Sequence, residues 1–490
     1  MLTTIMVILD MTIVNVALPH MMGALGATSH QITWVLTGYI VAEAIFIPLT
    51  GFFAGRIGRK RVMLISIVGF VVASALCGQA ETLSQIVLFR ILQGTFGASV
   101  VPLSQSIMVD TFPKDERGKA MAIWGVGIML GPILGPTVGG YITQHLDWRW
   151  VFYINVPVGV LNLWMIQHYL RPATAKGQRR ADWLGSLVMA VGIGSVQFVL
   201  DRGNQDNWFA SNTIILFAAV AALALPVFAV RAWRRDDSVV QLRLLKDRNL
   251  AVSSFMMLAF GLGLFGTIAL QPIMLQQLLH YPAETTGLVM APRGVASAVG
   301  MFIVSRIIMR VDPRAIILTG LGFAAGGSYL MASYSLNISP SWIIWPGVLQ
   351  GVGMGMIFVA LSTVAYQTLP SAATDHASGI FNLARTIGAS IGISIVSTIV
   401  TRTSQENWNE LGGHMNPYDP ALSHWLAAQG LHLRDPVAPQ LLAAELQRQS
   451  TMVGFVDAFY FVTLSFTGLA LLVAMLRKPS KTGGALSSRT

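Results

Sequence analysis

Residues 127–140 read Gly-Ile-Met-Leu-Gly-Pro-Ile-Leu-Gly-Pro-Thr-Val-Gly-Gly and lie inside an otherwise apolar stretch. The glycines Gly127, Gly131, Gly135 and Gly139 recur every four residues and therefore share one helix face. Such a face lets another helix pack with its backbone very close. In water the five glycines and two prolines of this stretch would cost about 11 kcal/mol of helix propensity, whereas a bilayer keeps the spanning backbone helical. The stretch predicts a moving membrane helix, packed against a helix of the other half of the chain.

Two prolines, Pro132 and Pro136, lie beside this groove. Each proline removes one backbone donor, so the helix must bend or be braced by its neighbours there. We assign both prolines, together with Gly140 and the four glycines, to one conformational motif.

The composition is that of an integral membrane protein. Of the 490 residues, 54% are hydrophobic and 11% are charged, against about 25% charged residues in soluble domains. Apolar runs of about 18 or more residues each predict a membrane helix, and fourteen such runs make this an all-α membrane protein. They lie near 2–22, 33–55, 62–80, 84–105, 119–142, 150–170, 183–201, 211–231, 250–275, 285–309, 314–334, 341–365, 377–401 and 453–476.

The positive charges predict the orientation of the chain in the membrane. If the N-terminus is inside, the cytoplasmic segments hold 24 of the 32 lysines and arginines. This bias favours an even number of spans with both termini in the cytoplasm. The net charge of +10 is therefore a topological signal, and we expect no nucleic-acid partner. Since the N-terminus enters an apolar run at once, either the first helix starts abruptly or a short leader is missing.

A faint internal repeat divides the chain. Gln93-Gly94 recurs as Gln350-Gly351, and Thr111-Phe112-Pro113 recurs as Thr368-Leu369-Pro370, both at an offset of 257 residues. Duplicated halves are a common transporter plan. The predicted domains are an N-terminal six-helix bundle (1–171), two inserted membrane helices with basic linkers (172–248) and a C-terminal six-helix bundle (249–490). The long outer loop 402–452 is either a linker or a short helical region near Val437 to Arg448 that meets a partner.

The sequence argues against enzymes and metal sites. Cys77 is the only cysteine, the nine histidines are scattered, and the sequence has no phosphate-binding loop or hydrolase signature. We expect no metal and no cofactor.

Five stretches together resemble the major facilitator superfamily, and more closely its fourteen-helix drug:proton antiporter branch of the EmrB/QacA type. They are 9–19, 51–61, 90–94, 127–140 and 148–159. The resemblance implies a major facilitator fold of two six-helix bundles with two additional linking helices, and protons as the coupling ion. It also implies the inner membrane of a bacterium.

The loop 51–61 departs from the pattern of the superfamily. Gly55 stands where the family usually has an aspartate, which is thought to form a charge lock that breaks during transport. The lock is here either absent or built differently. Gly51, Gly55 and Gly58 still permit close packing, and Arg59 still holds the loop inside.

Charged residues within spans cost at least about 2.5–3.5 kcal/mol each on insertion scales. Asp10 and Glu43 are therefore candidate proton sites, since a changing environment would load and release a proton. By resemblance, Arg90 belongs to the coupling machinery. The alternatives are structural roles: acids hydrogen-bonded to backbone, and an arginine that clamps a kinked helix.

Polar groups within the spans are candidates for binding a lipophilic substrate, against the alternative of interhelical hydrogen bonding. Arg293 and Arg385 either snorkel to the interface or pair with a helix end, and Arg385 joins the substrate candidates. The candidates are Asn15, Tyr39, Gln105, Gln271, Asn382 and Arg385.

The leading hypothesis is proton-coupled efflux of lipophilic drugs or toxic compounds by alternating access. One alternative is an exporter dedicated to a single endogenous metabolite, lipid or siderophore. Another is a membrane subunit whose main role is assembly of an envelope complex. By resemblance, the partners include a periplasmic adaptor and an outer-membrane channel.

Overall fold

The structure is a computed structural model that describes residues 1–113, 116–170, 182–235, 238–370, 373–416 and 418–476. Within these ranges the chain is helical and contains no strand. The predicted all-α class is confirmed. The predicted domain boundary at 171–172 lies outside the described residues.

The first half of the chain contributes ten helices, of which α3 and α4 are joined by a 3-10 turn at Ile47–Leu49 and two others are single turns. They are α1 (Leu2–Ala24), α2 (Ser29–Ile32), α3 (Trp34–Phe46), α4 (Thr50–Ile57), α5 (Arg59–Gly78), α6 (Leu83–Gly97), α7 (Val100–Thr111), α8 (Arg117–His145), α9 (Trp150–Tyr153) and α10 (Asn155–Tyr169).

Nine further helices follow. They are α11 (Trp183–Arg202), α12 (Asn212–Arg234), α13 (Arg248–Ile273), α14 (Ala283–Ile307), α15 (Pro313–Met331), α16 (Pro340–Gln367), α17 (Thr374–Gly413), α18 (Pro420–Ala428) and α19 (Ala438–Val473).

Twelve segments of the described chain are long and apolar enough to cross a membrane. They coincide with twelve of the fourteen predicted spans. The other two predicted spans, the first and the fifth, coincide with α1 and α8, and α1 contains a shorter apolar helix, Leu2–Leu18. The multi-pass membrane architecture is confirmed, while the count of fourteen spans stays a prediction.

The glycine motif packs against a different helix from the one predicted. A β-carbon on Gly131 would lie 2.5 Å from Ile8 Cγ2, and one on Gly139 would lie 2.9 Å from Ile13 Cγ1. Both partners belong to α1, in the same half of the chain, so the prediction of a partner in the other half is wrong. The groove faces α1 because α1 supplies β-branched side chains that fill it. The side chains of Pro132 and Pro136 lie outside the described part of the structure.

Helix α8 nevertheless also contacts the second half of the chain, through a different face. A β-carbon on Gly125 would lie 2.8 Å from Met301 Sδ on α14. Next to it, the buried Trp124 ring stacks on Phe358 of α16 with ring centroids 5.8 Å apart. Helix α8 therefore lies between α1 and the second half of the chain. A shift of either neighbour would change the packing of α8.

The segment 402–452, predicted to be an outer loop, is more helical than the prediction of a linker or a short helical region. Helix α17 continues to Gly413, and α19 already begins at Ala438, with α18 between them. Residues 438–448 are thus part of the helix that forms the last span, because no glycine or proline interrupts 441–453.

Candidate transport and coupling site

The two charged residues predicted from spans one and four form a buried ion pair. Arg90 Nη1 donates to Asp10 Oδ2 at 2.6 Å, and the two side chains are only 1% and 0% exposed. Asp10 Oδ1 also accepts from Gln93 Nε2 at 2.9 Å and from Asn155 Nδ2 at 2.7 Å. Three donors from α6 and α10 therefore converge on one carboxylate of α1.

The arginine of this pair is held on its other sides as well. Arg90 Nε donates to the backbone oxygen of Val35 at 3.1 Å, and Nη1 also donates to Gln93 Oε1 at 2.8 Å. The guanidinium lies 4.2 Å from the centroid of the Tyr39 ring. Because a buried ion pair costs desolvation unless its remaining polar atoms are bonded, this cluster keeps both charges stable only while it stays intact.

The second predicted proton site, Glu43 on α3, is buried differently. Its carboxylate is 3% exposed and makes no hydrogen bond or ion pair with another described residue. The positive charges that act on it are Arg385 of α17 and, more weakly, Arg90. Since an ionised carboxylate is costly to bury without a partner, Glu43 depends on these two cations, one from each half of the chain.

Two of the predicted substrate residues are hydrogen-bonded to each other across the halves. Gln105 Oε1 on α7 accepts from Asn382 Nδ2 on α17 at 2.6 Å. It also accepts from Tyr366 OH at 3.1 Å and lies 3.3 Å from Ser378 Oγ. This is the interhelical alternative that the sequence left open, and it closes the space between α7 and α17 at this level.

One to two turns away, an ion-pair cluster joins the same helices. Arg59 Nε donates to both oxygens of Asp375 at 2.8 and 2.9 Å, and Nη2 donates to Asp110 Oδ2 at 2.6 Å. Asp375 Oδ1 also accepts from Ser106 Oγ at 2.6 Å. We call Arg59, Asp110 and Asp375 the basic clamp. It links α5 and α7 of the first half to the first turn of α17.

The basic clamp shows how a charged link forms although position 55 is a glycine and not the usual aspartate. A β-carbon on Gly55 would meet nothing within 4 Å, whereas one on Gly51 would lie 2.6 Å from His376 Nδ1. Gly58 has a φ of 88°, a conformation that glycine adopts without strain. A charged link to α17 is therefore present without an acid at position 55, because α17 supplies the carboxylate itself.

Loss of the clamp is expected to open this end of the molecule. In a Cys77→Ser background, we expect a maleimide to label Ser378→Cys on the order of tenfold faster after Asp375→Asn, because charge-assisted hydrogen bonds contribute about 1.5–3 kcal/mol. The matched control is Glu116→Gln, which removes an acid from an exposed pair with Lys119 at 3.9 Å. Equal labelling in Asp375→Asn and the control would contradict a closing role for the clamp.

Comparison with known proteins identifies the family of this chain. The sequence model of the Major Facilitator Superfamily matches residues 1–393. The chain belongs to that superfamily. It is 34% identical over 488 residues to the multidrug export protein EmrB of Haemophilus influenzae, which covers 98% of this chain and 94% of the relative. It is also 34% identical over 490 residues to the fatty acid resistance protein FarB of Neisseria gonorrhoeae, with 99% and 96% covered.

Solved structures show the same fold. The proton:xylose symporter XylE aligns with a TM-score of 0.61 and 14% identity over 97% of both chains. By its superfamily and its export relatives, this major facilitator protein is a multi-pass secondary transporter and not an enzyme.

The remaining predicted substrate residues of this major facilitator protein do not form one site. Tyr39 packs under Arg90, and its buried hydroxyl has no partner among the described residues. Gln271 on α13 is 2% exposed, and its Oε1 is likewise unpaired within the described ranges. Asn15 is exposed and donates to the backbone oxygen of Met11 at 3.3 Å. The structure does not bring Asn15 to the Asp10 cluster.

Sequence reasoning assigned no role to two members of the Asp10 cluster. Gln93 and Asn155 both donate to Asp10, and Asn155 also donates to Ser74 Oγ at 3.0 Å. The available signal was position: both residues lie inside stretches that carry the family resemblance, and both are polar within apolar spans.

The polar edge of α11 was also missed. Asn204 Nδ2, just beyond its end, donates to Ser397 Oγ of α17 at 3.1 Å, and Asp201 accepts from Thr37 of α3. Gln197 adds a bond to Ser390 of α17. Helix α11 therefore lies between α3 and α17. The spacing of Gln197, Asp201 and Asn204, four and three residues apart, was the signal, because such residues share a helix face.

Proposed function

We propose that this transporter exports lipophilic drugs or toxic compounds across the inner membrane in exchange for protons, by alternating access. The observation that carries the proposal is the pair of buried carboxylates, Asp10 and Glu43. The positive charge near Asp10 belongs to the same half of the chain, whereas the main positive charge near Glu43 belongs to the other half. Asp10 is paired with Arg90 at 2.6 Å. Glu43 forms no ion pair with a described residue, and the main positive charge that favours its ionised form comes from Arg385 in the other half of the chain.

This difference provides a physical route to coupling. Relative movement of the halves changes the distance between Glu43 on α3 and Arg385 on α17. When Arg385 moves away, the cost of the buried negative charge rises, so Glu43 takes up a proton. When Arg385 returns, the proton is released. A proton that crosses 100 mV supplies about 2.3 kcal/mol, enough for roughly a 50-fold substrate gradient.

The names of the relatives support the class of cargo. One relative is called a multidrug export protein and another a fatty acid resistance protein, and a fatty acid is an amphipathic compound. An exporter dedicated to one endogenous compound remains the alternative. Growth inhibition measured across chemically unrelated compounds separates the two, since a dedicated exporter protects against few of them.

The proposed organisation keeps 1–171 and 249–490 as the two moving bundles, with both termini in the cytoplasm. The inserted helices of 172–248 act as a third element that contacts both bundles. Support comes from α11, which has polar contacts with α3 on one side and α17 on the other. The basic clamp would then lie at the cytoplasmic end, because Arg59 is one of the four positive charges of the loop 51–61.

The proposal is tested in everted membrane vesicles that contain the protein. We expect a fluorescent lipophilic drug to accumulate when a proton gradient is imposed, and a protonophore to abolish the accumulation. Glu43→Gln is expected to bind the drug but to lose gradient-driven accumulation. The control is Glu406→Gln in the exposed outer part of α17, which should transport like the wild type. Accumulation that ignores the protonophore would refute proton coupling.

A second role, docking of a periplasmic adaptor, is favoured by the outer helices. Beyond the predicted membrane spans, α17 and α19 extend further, and α18 lies between them along the chain. Their ends line a cavity of about 340 Å³. Its lining includes Leu411, His414, Leu422, Trp425, Leu442 and Glu445. We propose that an adaptor helix binds here with its apolar face, and that an outer-membrane channel completes the assembly.

The docking proposal predicts different results in everted vesicles and in intact cells. Replacing α18 by a glycine-serine linker of equal length should abolish drug resistance of double-membraned cells but spare accumulation in everted vesicles. Equal loss in both assays would mean that α18 serves the transporter itself, and no loss in either would exclude docking at this surface.

A further inference from the structure

The second half of the chain contains a counterpart of the Asp10–Arg90 cluster. Gln350-Gly351 of α16 repeats Gln93-Gly94 of α6 at an offset of 257 residues, and the packing repeats with it. A β-carbon on Gly94 would lie 2.4 Å from the backbone oxygen of Tyr39, and one on Gly351 would lie 2.2 Å from that of Arg293. Arg293 on α14 therefore occupies the place that Tyr39 has on α3.

The same repeat shows what has changed. Gln93 Nε2 donates to Asp10 at 2.9 Å, and Gln350 Nε2 lies 3.3 Å from Thr267 Oγ1, the residue 257 positions after Asp10. The carboxylate of Asp10 in the first half is thus replaced by the hydroxyl of Thr267 in the second half.

In the second half the arginine lies on a different helix, α14, and not on α16, which is the counterpart of α6. The counterpart of Arg90 is Gly347, and a β-carbon on Gly347 would lie 3.6 Å from Arg293 Cβ. Arg293 therefore supplies a guanidinium to the second cluster, in which glycine stands at the position equivalent to Arg90.

This guanidinium lacks the partners that Arg90 has. Arg293 is 8% exposed, and neither Nη1 nor Nη2 bonds to any described residue. No described Asp or Glu forms an ion pair with Arg293, and the titratable side chain that acts on it is the buried Tyr334. One turn further along the same face of α14, Ser297 Oγ is also buried without a described partner. An arginine buried without a counter-ion is costly, and its planar fork matches a carboxylate.

We propose that Arg293 binds a monovalent anionic group between α14 and α16, with Ser297 as an additional donor. The anion is the carboxylate of an amphipathic compound or a chloride ion, both of which accept from a guanidinium. The interpretation of this site as a binding site for cargo rests on the proposed export function. The site gives the transporter a place for acids in its second half, apart from Glu43 on α3, which is proposed to carry the proton.

The test measures binding to the purified full-length protein in nanodiscs. The probes are dansyl-undecanoic acid and its methyl ester, which differ only in the negative charge. The wild type should bind the acid on the order of tenfold more tightly than the ester. Arg293→Gln should lose this preference and keep its affinity for the ester. The matched control is Arg306→Gln, an exposed arginine of the same helix, which should behave like the wild type.

Chloride distinguishes the two sources of the anion. If chloride is the resident ligand, replacing it by sulfate, which is divalent and carries no carboxylate, should strengthen binding of the acid to the wild type and leave Arg293→Gln unchanged. If the site takes carboxylates alone, the replacement should have no effect while the acid preference persists. Should Arg293→Gln fail to fold, Arg293→Lys keeps the charge, lacks the fork and should lose much of the preference.

Two results overturn the inference. One is an unchanged preference for the acid in Arg293→Gln, and the other is an equal loss of acid and ester, as expected of a purely structural clamp. Failure of the proposed function looks different. In that case wild-type protein in liposomes would not move a lipophilic cation against a proton gradient, whatever the acid-binding result.

Discussion

Replacing Asp10 by asparagine is expected to abolish proton-driven export and to lower the stability of the protein. In the native cluster Asp10 accepts hydrogen bonds from Arg90, Gln93 and Asn155. An amide at this position leaves Arg90 as a buried, uncompensated charge, which costs about 3–5 kcal/mol. The measurements are drug accumulation in proteoliposomes under an imposed proton gradient and the midpoint of thermal unfolding.

The double variant Asp10→Asn/Arg90→Gln separates coupling from structure. It removes both charges, so no uncompensated charge remains, and its unfolding midpoint should recover towards that of the wild type. Export should not recover, since the protonatable group is gone. Should the double variant export normally, the ion pair would be structural only, and Glu43 would be the sole candidate for the coupling acid.

Replacing Gly131 by leucine is expected to leave membrane insertion intact and to stop antiport. The new side chain enters the space of Ile8, whose Cγ2 would lie 2.5 Å from the β-carbon and whose backbone carbon would lie 3.0 Å from it. Overpacking of this kind costs about 1–3 kcal/mol. The damage is specific because Ile8 is two residues from Asp10, so displacement of α1 also displaces the carboxylate from Arg90.

Two further variants make this prediction sharp. Gly322→Leu is the matched control, because a β-carbon there meets nothing within 4 Å on an exposed face of α15, and it should export normally. The milder Gly131→Ala should be impaired and should be rescued by Ile8→Ala, which removes the Cγ2 atom in its way. Insertion is measured by protein in the membrane fraction. Normal export by Gly131→Leu would reduce the glycine stripe to simple packing.

The clamp shows where sequence reasoning stopped. Arg59 could be recognised from its loop, and Gly55 could be recognised as the missing acid. Asp375 could not be assigned as the partner, because it lies 316 residues from Arg59 and belongs to none of the stretches that carry the resemblance. Nothing in a single sequence says which helix ends meet at one edge of a bundle.

The polar candidates divide in the same way. Gln105 and Asn382 were identified as polar groups inside apolar spans, and the hydrogen bond between them joins two different halves of the chain. Arg293 was visible as a charge in a span, but its lack of a partner depends on Gly347 and Thr267 standing where the first half has Arg90 and Asp10.

The sequence by itself determined that this is a helical membrane transporter of the major facilitator superfamily, since apolar length, charge bias and motif order are local properties that survive without a partner. It also identified Asp10 and Arg90, because a charge in an apolar span is rare whatever surrounds it. Only the tertiary structure decided which groups meet: α1 for the glycine stripe, Asp375 for Arg59, and no described acid for Arg293. The physical reason is that lipid and protein interior are equally apolar, so hydropathy cannot tell a helix face that packs on protein from one that faces the membrane.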